Sequence, residues 1–325
     1  MSVAGYGRAT DTGRKRRRNE DAYVAAPPLF AVADGMGGAQ AGEVASRLAA
    51  AALEDVDSRG LSGRERVTSL IAEANRRVYE RSSTDPAASG MGTTMTVALV
   101  EGGVVTIGHV GDSRAYLVRD GRMEQLTEDH SLVNELMKSG KLSQEEAETH
   151  PQRSVITRAL GTDPDVDVDA FAIDAQAGDV FLLCSDGLTT MVGDEDILEL
   201  LERHHDDLDR AAKSLVSAAN RGGGEDNITV VAFTIAADGG DTVELPAVEP
   251  ADDDTLDGVQ PPPPAVDTMV IPPDQVETAA FSGAAPRPEQ PVGSSFAPAA
   301  RVRLVLAMLA LLAVAAVLLV WGLLR

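Results

Sequence analysis

Five short acidic segments hold the residue types best suited to chemistry: Arg16-Arg17-Arg18-Asn19-Glu20-Asp21, Ala33-Asp34-Gly35-Met36-Gly37-Gly38, Gly111-Asp112-Ser113-Arg114-Ala115-Tyr116, Cys184-Ser185-Asp186-Gly187 and Glu225-Asp226-Asn227. Each adjoins an apolar, strand-like run. Brought to one edge of a folded domain, these carboxylates would repel one another. The usual physical reason to assemble such a cluster is to hold hard divalent cations. Taken singly, each has a plainer reading. Asp-Gly is a common turn dipeptide, and Asp120-Gly121 is read as nothing more. Asp34-Gly35-Met36-Gly37-Gly38 follows a strand and precedes a helix, and its glycines let the backbone turn close to a ligand. Metal binding and phosphate binding both fit it, although no Gly-Lys-Ser/Thr follows to complete a phosphate loop. Asp186-Gly187 repeats the strand-then-Asp-Gly layout, and Glu225-Asp226-Asn227 lies between three glycines and a β-branched run.

The elements that must position these acids can be read from periodicity. Strand patterns cover 29–33, 93–100, 104–110, 114–118, 166–173, 180–184 and 228–235, several ending at an acidic segment. Apolar spacing near 3.6 predicts helices over 41–56, 64–81, 131–139, 194–203 and 208–220. Strands outnumber helices, and Asp120-Gly121 between two short strand patterns signals a hairpin. Antiparallel sheets with helices packed outside are therefore expected, not a doubly wound parallel sheet.

Composition bounds the rest. The chain has 325 residues, 44% of them apolar, and a formal charge of −23, a balance that argues against a nucleic-acid partner. The sole cysteine, Cys184, excludes an internal disulfide. Residues 1–237 read as one domain. Residues 238–303 read as an acidic, Pro-rich disordered linker, with 12 of the 17 prolines and 12 Asp/Glu against one Arg in 238–300. Residues 304–324 are an uncharged apolar run with Trp321 near one end, long enough at about 30 Å to span a bilayer. No secretory signal precedes the acidic Glu20-Asp21. A single-pass C-terminal membrane anchor with the domain in the cytoplasm is the expectation.

The pieces Gly13-x-x-Arg16-x-x-Asn19-Glu20-Asp21, Val32-Ala33-Asp34-Gly35-Met36-Gly37-Gly38, Gly90-Met91-Gly92-Thr93-Thr94, His109-Val110-Gly111-Asp112-Ser113-Arg114, Leu126-Thr127-x-Asp129-His130, Cys184-Ser185-Asp186-Gly187-Leu188 and Asp226-Asn227-Ile228-Thr229 follow one another in order. In this set the chain resembles the type 2C metal-dependent serine/threonine protein phosphatases, most closely their bacterial branch. The anchor and linker resemble actinobacterial members that sit beside receptor-type kinases. The resemblance implies an α+β fold, a four-layer αββα sandwich of two antiparallel sheets flanked by helices. It also implies two Mn²⁺ or Mg²⁺ ions per domain and a weaker third. Asp34 matches the acid bridging two ions, the Gly35 carbonyl a ligand of one, and Asp186 and Asp226 ligands of the other. Glu20 and Asp21 match acids that hold metal-bound water, and Asp112 with Asp186 matches the third site. Arg16 matches the phosphate-binding arginine, and Asn227 a supporting group behind the ligands. The implied reaction is hydrolysis of phosphoserine and phosphothreonine on proteins by in-line attack of a metal-bridging hydroxide, opposing Ser/Thr kinases.

The residue types suit that chemistry. All-oxygen ligands select Mg²⁺ or Mn²⁺ over zinc, two ions lower the pKa of a shared water, and a guanidinium fork grips two phosphate oxygens. A cysteine-phosphatase loop fails, because its arginine would fall at Thr190. Eukaryotic members carry His where this chain has Met36, which cannot donate a proton. A water on the third ion near Asp112 is the expected replacement. Residues 127–165 match the family's flap, and His150 within it reads as a loop residue. His204-His205 reads as a solvated face, and in the Arg14–Arg18 run only Arg16 is read as functional. Thr242, Thr255, Thr268 and Thr278 each follow an acid and resemble kinase sites. Once phosphorylated they could dock a forkhead-associated domain, and a simple acidic spacer is the plainer reading. Two competing functions are a catalytically weak phosphoprotein-binding scaffold of the same fold, and a regulatory phosphatase for anti-sigma antagonists. Retention of every metal acid counts against the first, and the flap and the lack of a sensor domain against the second.

Overall fold

A computed structural model describes residues 1–37, 41–55, 60–237 and 269–270. Along the chain run β1 (Ser2–Asp11), β2 (Asp21–Ala26), β3 (Leu29–Met36), α1 (Ala41–Asp55), α2 (Gly63–Thr84), β4 (Gly92–Thr93), β5 (Met95–Glu101) and β6 (Val104–Val110). There follow β7 (Arg114–Arg119), β8 (Arg122–Gln125), α3 (Leu132–Lys138), α4 (Gln144–Glu148), β9 (Val155–Ile156), β10 (Asp169–Asp174) and β11 (Val180–Cys184). The last are α5 (Asp186–Thr189), α6 (Asp194–Arg203), α7 (Leu208–Gly222), β12 (Ile228–Ala236) and β13 (Met269–Val270).

Two antiparallel sheets result, one ordered β1-β12-β11-β7-β8 and the other β10-β6-β5-β3-β2. Alternation of side chains along each strand explains why they stack. Phe30 and Val32 of β3 meet Phe181, Leu183, Val231 and Phe233 between the sheets. The intervening Ala31 and Ala33 turn outward to Ala45, Ala49 and Ala52 of α1. The inner layer centres on stacked rings, with Phe30 4.2 Å from Phe233 and Phe181 5.1 Å from it. On the opposite outer face, Leu182, Cys184, Val230 and Ala232 pack on Ala211, Ala212 and Leu215 of α7. Helix α2 shows why such segments fold as helices against a sheet: Val67, Leu70, Ile71, Ala74 and Val78 share one stripe and are all buried. The four-layer αββα expectation therefore holds.

Several elements differ from the periodicity reading. Strands β1 and β2 lacked an apolar signature, because most of their residues are only half-buried at the margin of the sandwich. Gly7 adds to the weak signal and is needed there, since a Cβ would lie 2.0 Å from the Leu208 carbonyl carbon at the start of α7. The run 93–100 breaks into β4 and β5 around Thr94, and 166–173 forms a strand only from Asp169. The Asp120-Gly121 hairpin is as expected, with φ of 52° and 68° suiting a type I′ turn.

The linker 238–303 lies outside the described residues except for Met269–Val270, and the 304–324 span lies outside them entirely. Among the described residues no helix is long and apolar enough to cross a membrane.

Candidate active site

Strand register brings the first acids together. Asp21 opens β2 directly opposite Asp34 near the end of β3. The Gly35 N–H then donates to the Glu20 carbonyl at 3.2 Å. Gly35 has to be glycine, because a Cβ would sit 2.1 Å from the Gly42 carbonyl oxygen of α1. Asp186 begins α5 where β11 leaves its sheet, Asp226 lies two residues before β12, and Asp112 lies in the turn between β6 and β7. Arg16, in the loop between β1 and β2, donates from Nη2 to Asp226 Oδ2 at 2.7 Å.

Small hydroxyl and amide side chains lock this arrangement. The Thr94 hydroxyl accepts from the Asp34 N–H at 2.9 Å, and the Thr93 hydroxyl donates to the Asp34 carbonyl at 2.8 Å. Ser185 Oγ donates to Asp21 Oδ2 at 2.9 Å and accepts from the Thr229 N–H. Asn227 ties the arginine loop down: its Oδ1 accepts from the Glu20 N–H, and its Nδ2 donates to the carbonyls of Thr12 and Arg18. Thr94, Ser185, Ser113 and Ser46 were not singled out by sequence reasoning. Ser185 and Ser113 stand beside Asp186 and Asp112 in Cys-Ser-Asp and Asp-Ser-Arg, whereas Thr94 in Gly-Thr-Thr and Ser46 adjoin no acid and left no local signal.

The electrostatics are strained. Burial, and then the charges of Asp21, Asp186, Asp226 and Asp112, push the Asp34 carboxyl well above its ordinary value. Burial is also the main cause for Asp112, reinforced by Asp186 and Asp129. Asp21 is pushed up to about 7, and Asp186 to about 6. Burial opposes the Arg16 charge, but Asp226, Asp34 and Glu20 hold its pKa above the usual arginine value. Three polar atoms here, Arg16 Nε, Asp21 Oδ1 and Asp186 Oδ1, are buried without a hydrogen-bond partner. Orphaned carboxylate oxygens beside repelling acids are what an absent cation would satisfy. Among the described residues no three His, Cys, Asp or Glu side chains converge as a closed cage. A hard ion held here would therefore complete its shell with carbonyl and water oxygens, the habit of Mg²⁺ and its like. The donor set fits.

This yields a pH prediction. Burial above all holds the Asp21 carboxyl at about 7, far above the ordinary carboxylate range, so its ionisation destabilises the fold in EDTA most fully above pH 7. As pH falls from about 7 towards 3.8, the native carboxyl stays protonated where the unfolded one does not, and that cost shrinks progressively. Asp21→Asn should thus raise the urea midpoint in EDTA at pH 8, with the advantage fading by pH 5. Comparing variant with parent cancels the opposing effect of the buried His109 and His130, whose pKa values are lowered chiefly by burial.

Cys184 plays no part in the chemistry. It is fully buried on the α7 side of β11, and burial pushes its thiol up to about 12. Met36 is buried against Ile156 and Ala159. His150 accepts from the Gln152 N–H within the flap loop, as expected of a loop residue.

The family model for protein phosphatase 2C matches residues 12–220. The serine/threonine protein phosphatase PstP of Mycobacterium tuberculosis is 42% identical over 258 residues, 78% of this chain and 50% of that protein. The chain thus spans about half the length of that relative. The serine/threonine phosphatase Stp of Listeria innocua is 41% identical over 233 residues, 68% of this chain and 92% of its own. A crystal structure of the PstP catalytic domain in complex with two manganese ions superposes with a TM-score of 0.67 at 39% identity, covering 73% of this chain and all of that one.

Proposed function

The chain belongs to the protein phosphatase 2C family, and we propose that it hydrolyses phosphoserine and phosphothreonine on proteins in a metal-dependent reaction that opposes Ser/Thr kinases. The observation that carries this reading is the meeting of Arg16 with Asp21, Asp34, Asp186 and Asp226, with orphaned buried atoms on both the arginine and the acids. The manganese in the PstP catalytic domain supports the same cofactor here.

Asp34, the Gly35 carbonyl, Asp186 and Asp226 would hold two Mn²⁺ or Mg²⁺ ions, with Glu20 and Asp21 positioning the water around them. Bound there, the ions supply Lewis-acid charge and lower the pKa of a water enough to make a nucleophile near neutral pH. Arg16 binds the phosphoryl group and stabilises its charge during in-line displacement. Its contact with Asp226 shows that the guanidinium already reaches the acid cluster, and Asn227 keeps the loop carrying it in place. Ser185 fixes the Asp21 carboxylate, and Thr94 fixes the strand end that presents Asp34. Met36 has no transferable proton and is buried, which supports protonation of the leaving oxygen from the Asp112 side, where Asp112 and Asp186 would hold a weaker third ion.

With Mn²⁺, the protein should release phosphate from a phosphothreonyl peptide, and EDTA should stop it. Asp112→Ala should slow that peptide more than p-nitrophenyl phosphate, whose leaving group needs no proton. Equal slowing of both would remove Asp112 from leaving-group protonation. The scaffold reading predicts binding of the peptide without release of phosphate.

The apolar run 304–324 supports a single-pass anchor that holds the domain on the cytoplasmic face, with 238–303 as its linker. Recovery of a chain lacking 304–324 in the membrane fraction would refute the anchor. The acid-preceded Thr242, Thr255, Thr268 and Thr278 support docking of a forkhead-associated domain after phosphorylation. Unmodified threonines at all four positions in kinase-active cells would refute it.

A further inference from the structure

Strand β9 is a junction between the flap and the acid cluster. Val155 packs with Leu132 and Leu136 in the small core of the flap. Ile156 packs on Met36, two residues beyond Asp34. The Thr157 N–H donates to the His130 carbonyl at 2.8 Å. His130 in turn clamps Gly111, donating from its backbone N–H to the Gly111 carbonyl at 2.7 Å and accepting from the Gly111 N–H on Nδ1 at 3.0 Å. Gly111 directly precedes Asp112. Val155, Ile156 and the adjoining Thr157 thus reach the flap, the turn after Asp34 and, through His130, the loop bearing Asp112.

So short a strand has little to hold it. Beyond a single bridge from Ile156 to Ser131, its ladder is completed from far along the chain. Met269–Val270 pairs with it in parallel, Met269 opposite Val155 and Val270 opposite Ile156. The sequence accounts for that choice. Thr268-Met269-Val270-Ile271 is a β-prone run set between Pro261-Pro262-Pro263-Pro264 and Pro272-Pro273, in a stretch otherwise rich in acids and proline.

We propose that the edge of β9 is a strand-addition site for extended peptide, occupied by the chain's own Met269–Val270, and that this pairing restrains the flap and competes with extended phosphopeptide substrates. Backbone pairing at a strand edge is a general mode of peptide recognition. The substrate has a route to the same edge. Arg153 and Ser154, which lead into β9, line a cavity of about 850 Å³ that also takes in Asp112 and Asp186. A phosphopeptide seated in that cavity would lie against the two residues that lead directly into the strand paired by Met269–Val270. Tethering gives the resident segment a high effective concentration, so even two residues of ladder can compete. The inference rests on the phosphatase reading for its substrate, but the docking itself does not.

The test uses the full chain with Met269→Pro and Val270→Pro together, which removes both N–H groups from the added strand. Both positions lie outside the packed sandwich, and turnover of p-nitrophenyl phosphate reports that folding is intact. Hydrogen exchange of the amides in 153–157 should quicken several-fold in the variant. Its KM for a phosphothreonyl peptide should fall several-fold, with that for p-nitrophenyl phosphate unchanged. A free peptide of residues 263–275 should restore protection and raise the phosphopeptide KM again, and a scrambled peptide should not. Unchanged exchange overturns the proposal, as does faster exchange with an unaltered phosphopeptide KM. If both proteins turn over neither substrate, the phosphatase reading fails, and so does the competition built on it. The exchange result would still decide the docking.

Discussion

Replacing Asp34 by Asn should abolish phosphatase turnover while making the metal-free protein harder to unfold. Asp34 is the acid on which the charges of Asp21, Asp112, Asp186 and Asp226 all act, and burial adds to their effect. In the functional reading it is the one ligand shared by both ions. Its loss should lower kcat/KM by at least ~10³, equivalent to about 4 kcal/mol of transition-state stabilisation. The fold does not depend on the carboxylate. Thr93 and Thr94 bond the Asp34 backbone, which Asn retains. Without metal the charge is a burden, so Asn relieves repulsion and the thermal midpoint in EDTA should rise by several degrees. An inactive variant with a lower midpoint would mean that Asp34 holds the fold together, and the metal-ligand account would lose its main residue.

Arg16→Lys should keep the charge and lose the function. Lysine has no planar fork and cannot grip two phosphoryl oxygens at once. We expect kcat/KM for a phosphothreonyl peptide to fall by about 10²-fold, with most of the loss persisting at saturating Mn²⁺. The loop should survive, since Asn227 holds it through the carbonyls of Thr12 and Arg18 and the Glu20 N–H. Mn²⁺ affinity should hold, because Arg16 lies beside the Asp226 carboxylate at 2.7 Å but supplies no ligand atom itself. If excess Mn²⁺ restored full activity to the variant, Arg16 would be supporting the metal site and not binding phosphate.

The acids were legible because each stands where an apolar run stops, and strand ends gather along one margin of a sandwich. What could not be read from periodicity is how they are held. Ser185 reaches Asp21 across 164 residues of chain, Asn227 reaches Glu20 across 207, and Thr94 reaches Asp34 across 60. Such contacts exist only once the sheets have formed, and a small hydroxyl leaves no periodic trace. Strand β1 was hidden for a related reason: Gly7 admits α7 but removes the side chain that would have marked a strand. Position 36 was flagged for its missing proton donor, and the structure adds a reason for methionine there. Its side chain fills the contact between the Asp34 turn and Ile156 of β9, a packing role that ties the site to the flap. The pairing of β9 with Met269–Val270 lay beyond any local reading, because a stretch rich in acids and proline gives little sign of joining a sheet.

Titration of Mn²⁺ into the metal-free chain at pH 7, read by calorimetry beside Asp34→Asn, tests the central claim most directly. Two tightly bound ions in the parent, lost in the variant together with turnover, is the predicted result. Two ions retained by Asp34→Asn, or phosphopeptide turnover that persists in EDTA, would contradict it.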